Sequence, residues 1–137
     1  MNAHAISAAL LWAALFAPVA AAQEATPATL GEVRSTRDGV YTKAQAKAGE
    51  ALYKQHCLVC HDKNYFKPVL NRWSGQRAGV FFDVMSGSMP ESNPGGLLPK
   101  EYVDILAYIF SRSRYPAGEE RLSHAHGALA NLLIEDS

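Results

Sequence analysis

The sequence has little cysteine and no excess of charge of either sign. Its 137 residues include two cysteines, and 13 Lys+Arg balance 13 Asp+Glu. Two cysteines are too few for a disulfide scaffold or a four-thiolate metal site, which leaves one disulfide, two free thiols or a covalent attachment. Zero net charge argues against binding to nucleic acid or an anionic membrane, because both require surplus cations. We expect one small domain that binds neither.

The first 22 residues contain no Lys, Arg, Asp or Glu, and 18 of them are apolar. Residues 6–17 have the length of a signal-peptide core and are too short to cross a bilayer, while Ala20 and Ala22 form an A-x-A cleavage pattern before Gln23. We predict an export signal over residues 1–22, with an uncleaved N-terminal anchor as the alternative. The mature chain is then expected to be soluble, without stable membrane insertion, and periplasmic rather than secreted.

Beyond this segment, periodicity predicts three helices. Residues 23–40 lack apolar periodicity and are predicted to be a lead-in. Thr42 and Gln45 fit a capping box, in which the Thr hydroxyl accepts the Gln45 N–H and the Gln side chain reaches back. The first helix should run from there to about residue 55, with the apolar stripe Ala44, Ala48, Ala51 and Leu52.

The other two predicted helices lie in the second half of the chain. One covers about residues 76–86 and has the apolar face Val80, Phe81, Val84 and Met85. The last begins near Pro99, which suits a first helical turn, and has the stripe Leu98, Tyr102, Ile105, Leu106 and Ile109.

The first helix leads into the motif C-L-V-C-H at residues 57–61. A C-x-x-C pair alone can be a redox disulfide, half of a zinc site, or two thioether attachments to haem. No strand alternation nearby supports a thioredoxin-like site, and the only candidates for further zinc ligands are His56, His124 and His126. His61 directly after Cys60 favours haem c, because Cys57 and Cys60 fix the porphyrin and the adjacent imidazole is held over the iron. The two tail histidines are interpreted as solvent-exposed.

The second iron ligand must come from elsewhere in the chain, and Met85 and Met89 are the only methionines after residue 22. A thioether favours the ferrous state and raises the reduction potential. Met89 precedes Pro90 and follows residues 86–88 (S-G-S), which places it on a turn, whereas Met85 lies on a predicted helix and is interpreted as core. We predict His61 and Met89 as the metal ligands.

Taken together, these residues resemble a single-haem class I c-type cytochrome over about residues 41–120. Gly49 and Tyr53 are similar to the glycine and aromatic of that family's N-terminal helix, and residues 102–109 resemble its C-terminal helix. The resemblance implies an all-α cytochrome c fold of about three to five helices around one covalently attached haem c. It further implies that these two helices cross at nearly a right angle, so that Gly49 and Tyr53 meet Ile105 and Tyr108.

Further site residues follow from the same resemblance. Pro68 resembles the family's proline whose carbonyl accepts the other N–H of the ligand imidazole. Trp73 and Arg72 are candidates for contact with a haem propionate. Asp62 stands where the family often has Gly, and only 28 residues separate His61 from Met89. The short spacing predicts a more exposed propionate edge.

A narrower resemblance is to small periplasmic cytochromes that serve quinoprotein alcohol dehydrogenases. It rests on residues 89–96, the last helix and residues 115–118. It implies a monomeric electron carrier, not an enzyme, between a donor dehydrogenase and an acceptor such as a terminal oxidase or another cytochrome. Two other hypotheses are a haem-based sensor, in which a small ligand displaces Met89, and a fixed cytochrome subunit of a dehydrogenase complex.

The C-terminal part of the chain contains a short apolar segment. Residues 121–137 are predicted to be an extension that is packed on the domain or partly flexible, with the apolar residues Leu129, Leu132 and Leu133.

Charge is distributed unevenly between the two halves of the chain after residue 22. Residues 23–80 carry nine Lys+Arg and five Asp+Glu, whereas residues 81–137 carry four Lys+Arg and eight Asp+Glu. This asymmetry predicts a dipole that orients the haem edge toward its partners.

Overall fold

The computed structural model describes residues 32–137, so the predicted export signal and residues 23–31 of the lead-in lie outside the described residues. Four helices follow in order: α1 (Lys43–His56), α2 (Phe66–Arg72), α3 (Ala78–Ser88) and α4 (Pro99–Arg112). Two short strands, β1 (Arg34–Ser35) and β2 (Leu132–Leu133), pair in parallel, with Arg34 opposite Leu132. The described residues are therefore all-α apart from this short strand pair, as expected from the sequence.

The main helix contact is the crossing of α1 and α4. At Gly49 a Cβ atom would overlap the Asp104 carbonyl oxygen and come within 3.0 Å of the Ile105 nitrogen, so only glycine fits. One turn later, the rings of Tyr53 and Tyr108 are in contact, with centroids 5.1 Å apart and planes at 54°. The packing expected for Gly49 and Tyr53 is confirmed.

The predicted apolar stripe of α1 is wrong, although the helix itself is confirmed. Ala44, Ala48 and Ala51 are exposed, and the buried face consists of Gln45, Ala46, Gly49 and Tyr53. Two residues determine the buried face: Gly49, where α1 approaches α4 closely, and Tyr53, whose side chain buries more apolar area than an alanine does.

The Thr42 half of the capping box forms, with the hydroxyl accepting the Gln45 N–H at 3.1 Å. The Gln45 side chain does not return to the cap, because it is buried beside α4 and the C-terminal segment. Its Nε2 donates to Asp104 Oδ1 at 2.9 Å and to the Leu122 carbonyl at 3.0 Å, and its Oε1 accepts the Leu122 N–H at 2.8 Å. These bonds satisfy the buried amide.

Helix α3 begins two residues later than predicted and buries Phe81 and Met85, whereas Val80 and Val84 are about half exposed. Helix α4 buries its predicted stripe except for Leu98, which is the N-cap residue and 67% exposed. Helix α2 was not located from the sequence, because its seven residues are too few for a clear period.

The C-terminal segment is hydrogen-bonded to the helical part of the fold. Ile134 is fully buried and pairs with the turn between α2 and α3, accepting from the Gly75 N–H at 2.8 Å and donating to the Gln76 carbonyl at 2.9 Å. Nearby, the buried Asp104 carboxylate binds Lys100 Nζ at 2.8 Å and an Arg121 guanidinium nitrogen at 2.7 Å. Among residues 32–137, no helix is both long and apolar enough to span a bilayer.

Candidate haem site

The C-x-x-C-H motif forms a tight turn at the end of α1. The Cys57 N–H donates to the Tyr53 carbonyl at 2.8 Å, and the Cys60 and His61 N–H groups both donate to the Cys57 carbonyl, at 3.1 and 2.9 Å. No disulfide joins Cys57, which is half-buried, to Cys60, which is exposed. Burial raises the pKa of the Cys57 thiol to about 11. The turn holds two sulfurs and an imidazole on one wall of a cavity.

Tyr53 fixes the backbone at the motif histidine. Its hydroxyl donates to the carbonyls of His61 and Asp62, each at 3.0 Å. Burial raises the pKa of Tyr53 well above its usual range, so this hydroxyl stays protonated and remains a donor. The sequence indicated Tyr53 as a packing residue, and its hydrogen bonds could not be foreseen because the motif turn determines where the two carbonyls point.

The cavity beside the motif is lined mainly by apolar atoms and has a volume of about 100 Å³. Its lining residues are His56, Cys57, Cys60, His61, Phe66, Met85, Met89, Pro90, Glu91 and Ile105. A second cavity of about 160 Å³ adjoins it and shares four of these residues, His61, Phe66, Met85 and Met89. Because the two cavities share these residues, they form one cleft between the motif and α3.

Both candidate methionines line the cleft. Met89 is the C-cap residue of α3, is half-buried, and donates its N–H to the Met85 carbonyl at 2.9 Å. Met85 is 7% exposed and belongs to the hydrophobic core. The structure thus brings His61 and Met89 to the same cleft, and the choice of Met89 over Met85 stays a prediction.

Trp73 and Pro68 are placed differently with respect to the cleft. Trp73 lines the second cavity and packs edge-on against Phe81, with ring centroids 5.3 Å apart. Pro68 is an exposed residue of α2, does not line either cavity, and makes no hydrogen bond with the His61 ring in the part of the chain described here. Arg72 is also exposed.

The His61 ring instead lies beside two aromatic rings that the sequence did not indicate. Its centroid is 4.2 Å from that of Tyr65 and 5.6 Å from that of Phe66. Among the other histidines, His124 is exposed and stacks on Phe82 with planes at 9°. The side chain of His126 lies outside the described residues.

Arg77 lines neither cavity of the cleft. It is the N-cap residue of α3 and lies in sequence between Trp73 and Phe81, both of which line the second cavity. One of its guanidinium nitrogens, Nη1, is buried without a hydrogen-bond partner among residues 32–137. The fit to haem c follows instead from the residues that line the cleft, because the Cys57 and Cys60 sulfurs, the His61 imidazole and the methionine thioethers are the kinds of group that attach a porphyrin and bind its iron. The residues present therefore fit the group.

A family model described as cytochrome c oxidase, cbb3-type, subunit III matches residues 44–109, which include the motif, Met89 and most of α1 and α4. Neither the curated proteins nor the solved structures contain a match to the chain. The family match and the four-helix fold support a class I c-type cytochrome with the all-α cytochrome c fold. Its cofactor is covalently bound haem c with its iron.

Proposed function

We propose that this cytochrome is a periplasmic carrier that passes single electrons from a dehydrogenase to a downstream acceptor, with His61 and Met89 as the iron ligands. The observation that carries the proposal is the placement of both side chains on one apolar cleft that also contains Cys57 and Cys60. When bound, haem c supplies a one-electron ferric/ferrous couple. The protein transforms no substrate in this proposal.

The chain's own residues would hold and tune this couple. Cys57 and Cys60 form the thioether attachments, and Tyr53 holds the backbone that presents the imidazole. The apolar lining excludes water, which stabilises the less charged ferrous form. We assign Trp73 and Arg72 to the propionate side and the Pro68 carbonyl to the second N–H of the imidazole.

Exposed apolar residues near the cleft support brief docking to a redox partner. Val59 is 87% exposed, and Leu58, Tyr65 and Val84 are 43–53% exposed. Contacts of this type are small and transient, as an electron carrier requires. The resemblance to cytochromes that serve quinoprotein alcohol dehydrogenases makes such an enzyme the proposed donor.

Stopped-flow reduction by purified dehydrogenases tests this function. A quinoprotein alcohol dehydrogenase should reduce the ferric protein in a second-order reaction, and the rate should fall with ionic strength if the charge asymmetry steers the encounter. A rate that does not change with salt would remove the electrostatic part of the proposal. Carbon monoxide separates the carrier from a sensor, because a carrier that retains Met89 does not bind it rapidly. Co-purification in a fixed ratio with a dehydrogenase would favour the subunit hypothesis.

A further inference from the structure

The side chain of Tyr102 reaches from α4 to the backbone of Met89. Its hydroxyl donates to the Met89 carbonyl at 2.5 Å, across 13 residues of sequence. Tyr102 is only 3% exposed. Its ring packs edge-on against Phe82 of α3, with centroids 6.4 Å apart and planes at 86°. The donor is therefore held in a fixed orientation by the core.

The segment that follows Met89 has few other attachments. Residues 91–96 are all exposed, and their backbone bonds are local, such as Asn93 N–H to the Pro90 carbonyl at 2.8 Å. Among the described residues, Tyr102 provides the one side-chain hydrogen bond to the backbone of residues 89–97. On the other side, the Met89 N–H is bound to the Met85 carbonyl at the end of α3. Met89 is thus fixed at both its N–H and its carbonyl.

We propose that Tyr102 is a positioning residue for the methionine ligand: its bond to the Met89 carbonyl holds the thioether in the cleft and makes its replacement by an added ligand less favourable. This inference rests on the proposed function, in which Met89 binds the iron. In this proposal α4 packs on α1 and also positions Met89 through Tyr102. The bond would favour a carrier that keeps both ligands over a sensor that releases one.

The test is imidazole binding to the ferric holoprotein, followed by loss of the sulfur-to-iron charge-transfer absorbance. Tyr102→Phe removes one oxygen atom and keeps the ring against Phe82, so the fold is retained. One net hydrogen bond corresponds to about a fivefold change in an equilibrium constant, and imidazole should therefore bind about fivefold more tightly to Tyr102→Phe than to the wild type.

Tyr41→Phe is the matched control. It also removes one hydrogen bond from a buried tyrosine hydroxyl to a backbone carbonyl, that of Tyr115 at 2.7 Å, but away from the Met89 segment. Its imidazole affinity should equal that of the wild type. Unchanged affinity in Tyr102→Phe, or an equal increase in both variants, would overturn the role of Tyr102.

Met89→Ala separates failure of this inference from failure of the ligand assignment. If Met89 is the ligand, this variant binds imidazole far more tightly than the wild type, whatever Tyr102→Phe does. If Met89→Ala binds imidazole as weakly as the wild type, the ligand assignment fails, and the role of Tyr102 fails with it.

Discussion

Gly49 of α1 and Asp104 of α4 are in direct contact through their backbones, and a Cβ atom at position 49 would overlap the Asp104 carbonyl oxygen. The contact lies at the crossing of the two helices, two turns before the C-x-x-C-H motif. Because backbone atoms cannot move aside as a flexible side chain can, a methyl group here must separate α1 from α4.

Gly49→Ala should therefore lower the free energy of unfolding by about 3 kcal/mol or more. Gly87→Ala is the control, because this glycine also lies in a helix and a Cβ atom there meets nothing within 4 Å. The control should leave stability unchanged or raise it by up to about 1 kcal/mol through the higher helix propensity of alanine. Denaturant unfolding of the haem-loaded variants measures both, and equal stabilities would contradict the packing described for Gly49.

Covalent attachment predicts a change in mass and in thiol reactivity. The mature holoprotein should carry the mass of one haem after denaturation and should show no thiol that reacts with an alkylating reagent. Cys57→Ala and Cys60→Ala should each keep at most one thioether bond, and the double variant should lose its haem on denaturation. Two reactive thiols in the wild-type holoprotein would exclude attachment at these cysteines.

Asp104 links α4 to the C-terminal segment, and its replacement tests how much that link stabilises the fold. Asp104→Asn keeps an acceptor for Gln45 but removes the charge that pairs with Lys100 and Arg121. Loss of charge-assisted bonds to a buried carboxylate should lower the free energy of unfolding by about 1–3 kcal/mol. Glu50→Gln, which breaks an exposed ion pair with Lys54, is the control and should have no measurable effect. Equal changes in the free energy of unfolding of the two variants would mean that the ion pairs of the buried Asp104 stabilise the fold no more than the exposed pair of Glu50.

Stability should fall in alkali because buried tyrosines keep their protons in the folded state. Burial raises the pKa values of Tyr53, Tyr41 and Tyr115 above the ordinary value of 10.0. Above about pH 10 the unfolded chain binds fewer protons than the native state, so the free energy of unfolding decreases as the pH rises. Tyr53→Phe should reduce this slope by up to one proton, as measured by denaturant unfolding between pH 9 and 11. An unchanged slope would show that Tyr53 does not contribute.

The sequence predicts those features that are determined by residues close together in the chain, such as helix starts and the haem motif. The hydroxyl of Thr42, the five-residue haem motif and the position of Pro99 are local signals, and α1 and α4 begin where these signals place them. The fold and the covalent haem are confirmed. The cleft also contains the predicted Cys57, Cys60, His61, Met89 and Trp73.

The features that the sequence did not predict depend on contacts between distant residues. Gln45 bonds to Leu122, 77 residues away, and periodicity could not show that a polar side chain would be the more buried one. The hydroxyl of Tyr102 likewise finds its acceptor in a turn whose path depends on α3. Pro68 was assigned by resemblance alone, and the bond from the imidazole to its carbonyl stays a prediction for this exposed residue of α2.

The measurement that tests the central claim most directly is the absorbance spectrum of the ferric protein, compared among wild type, Met89→Ala and Met85→Ala. The account predicts a sulfur-to-iron charge-transfer band in the wild type, its loss in Met89→Ala, and its retention in Met85→Ala, which should be less stable because it removes a core side chain. Loss of the band in Met85→Ala with retention in Met89→Ala, or no band in the wild type, would contradict an electron carrier with His61 and Met89 as its ligands.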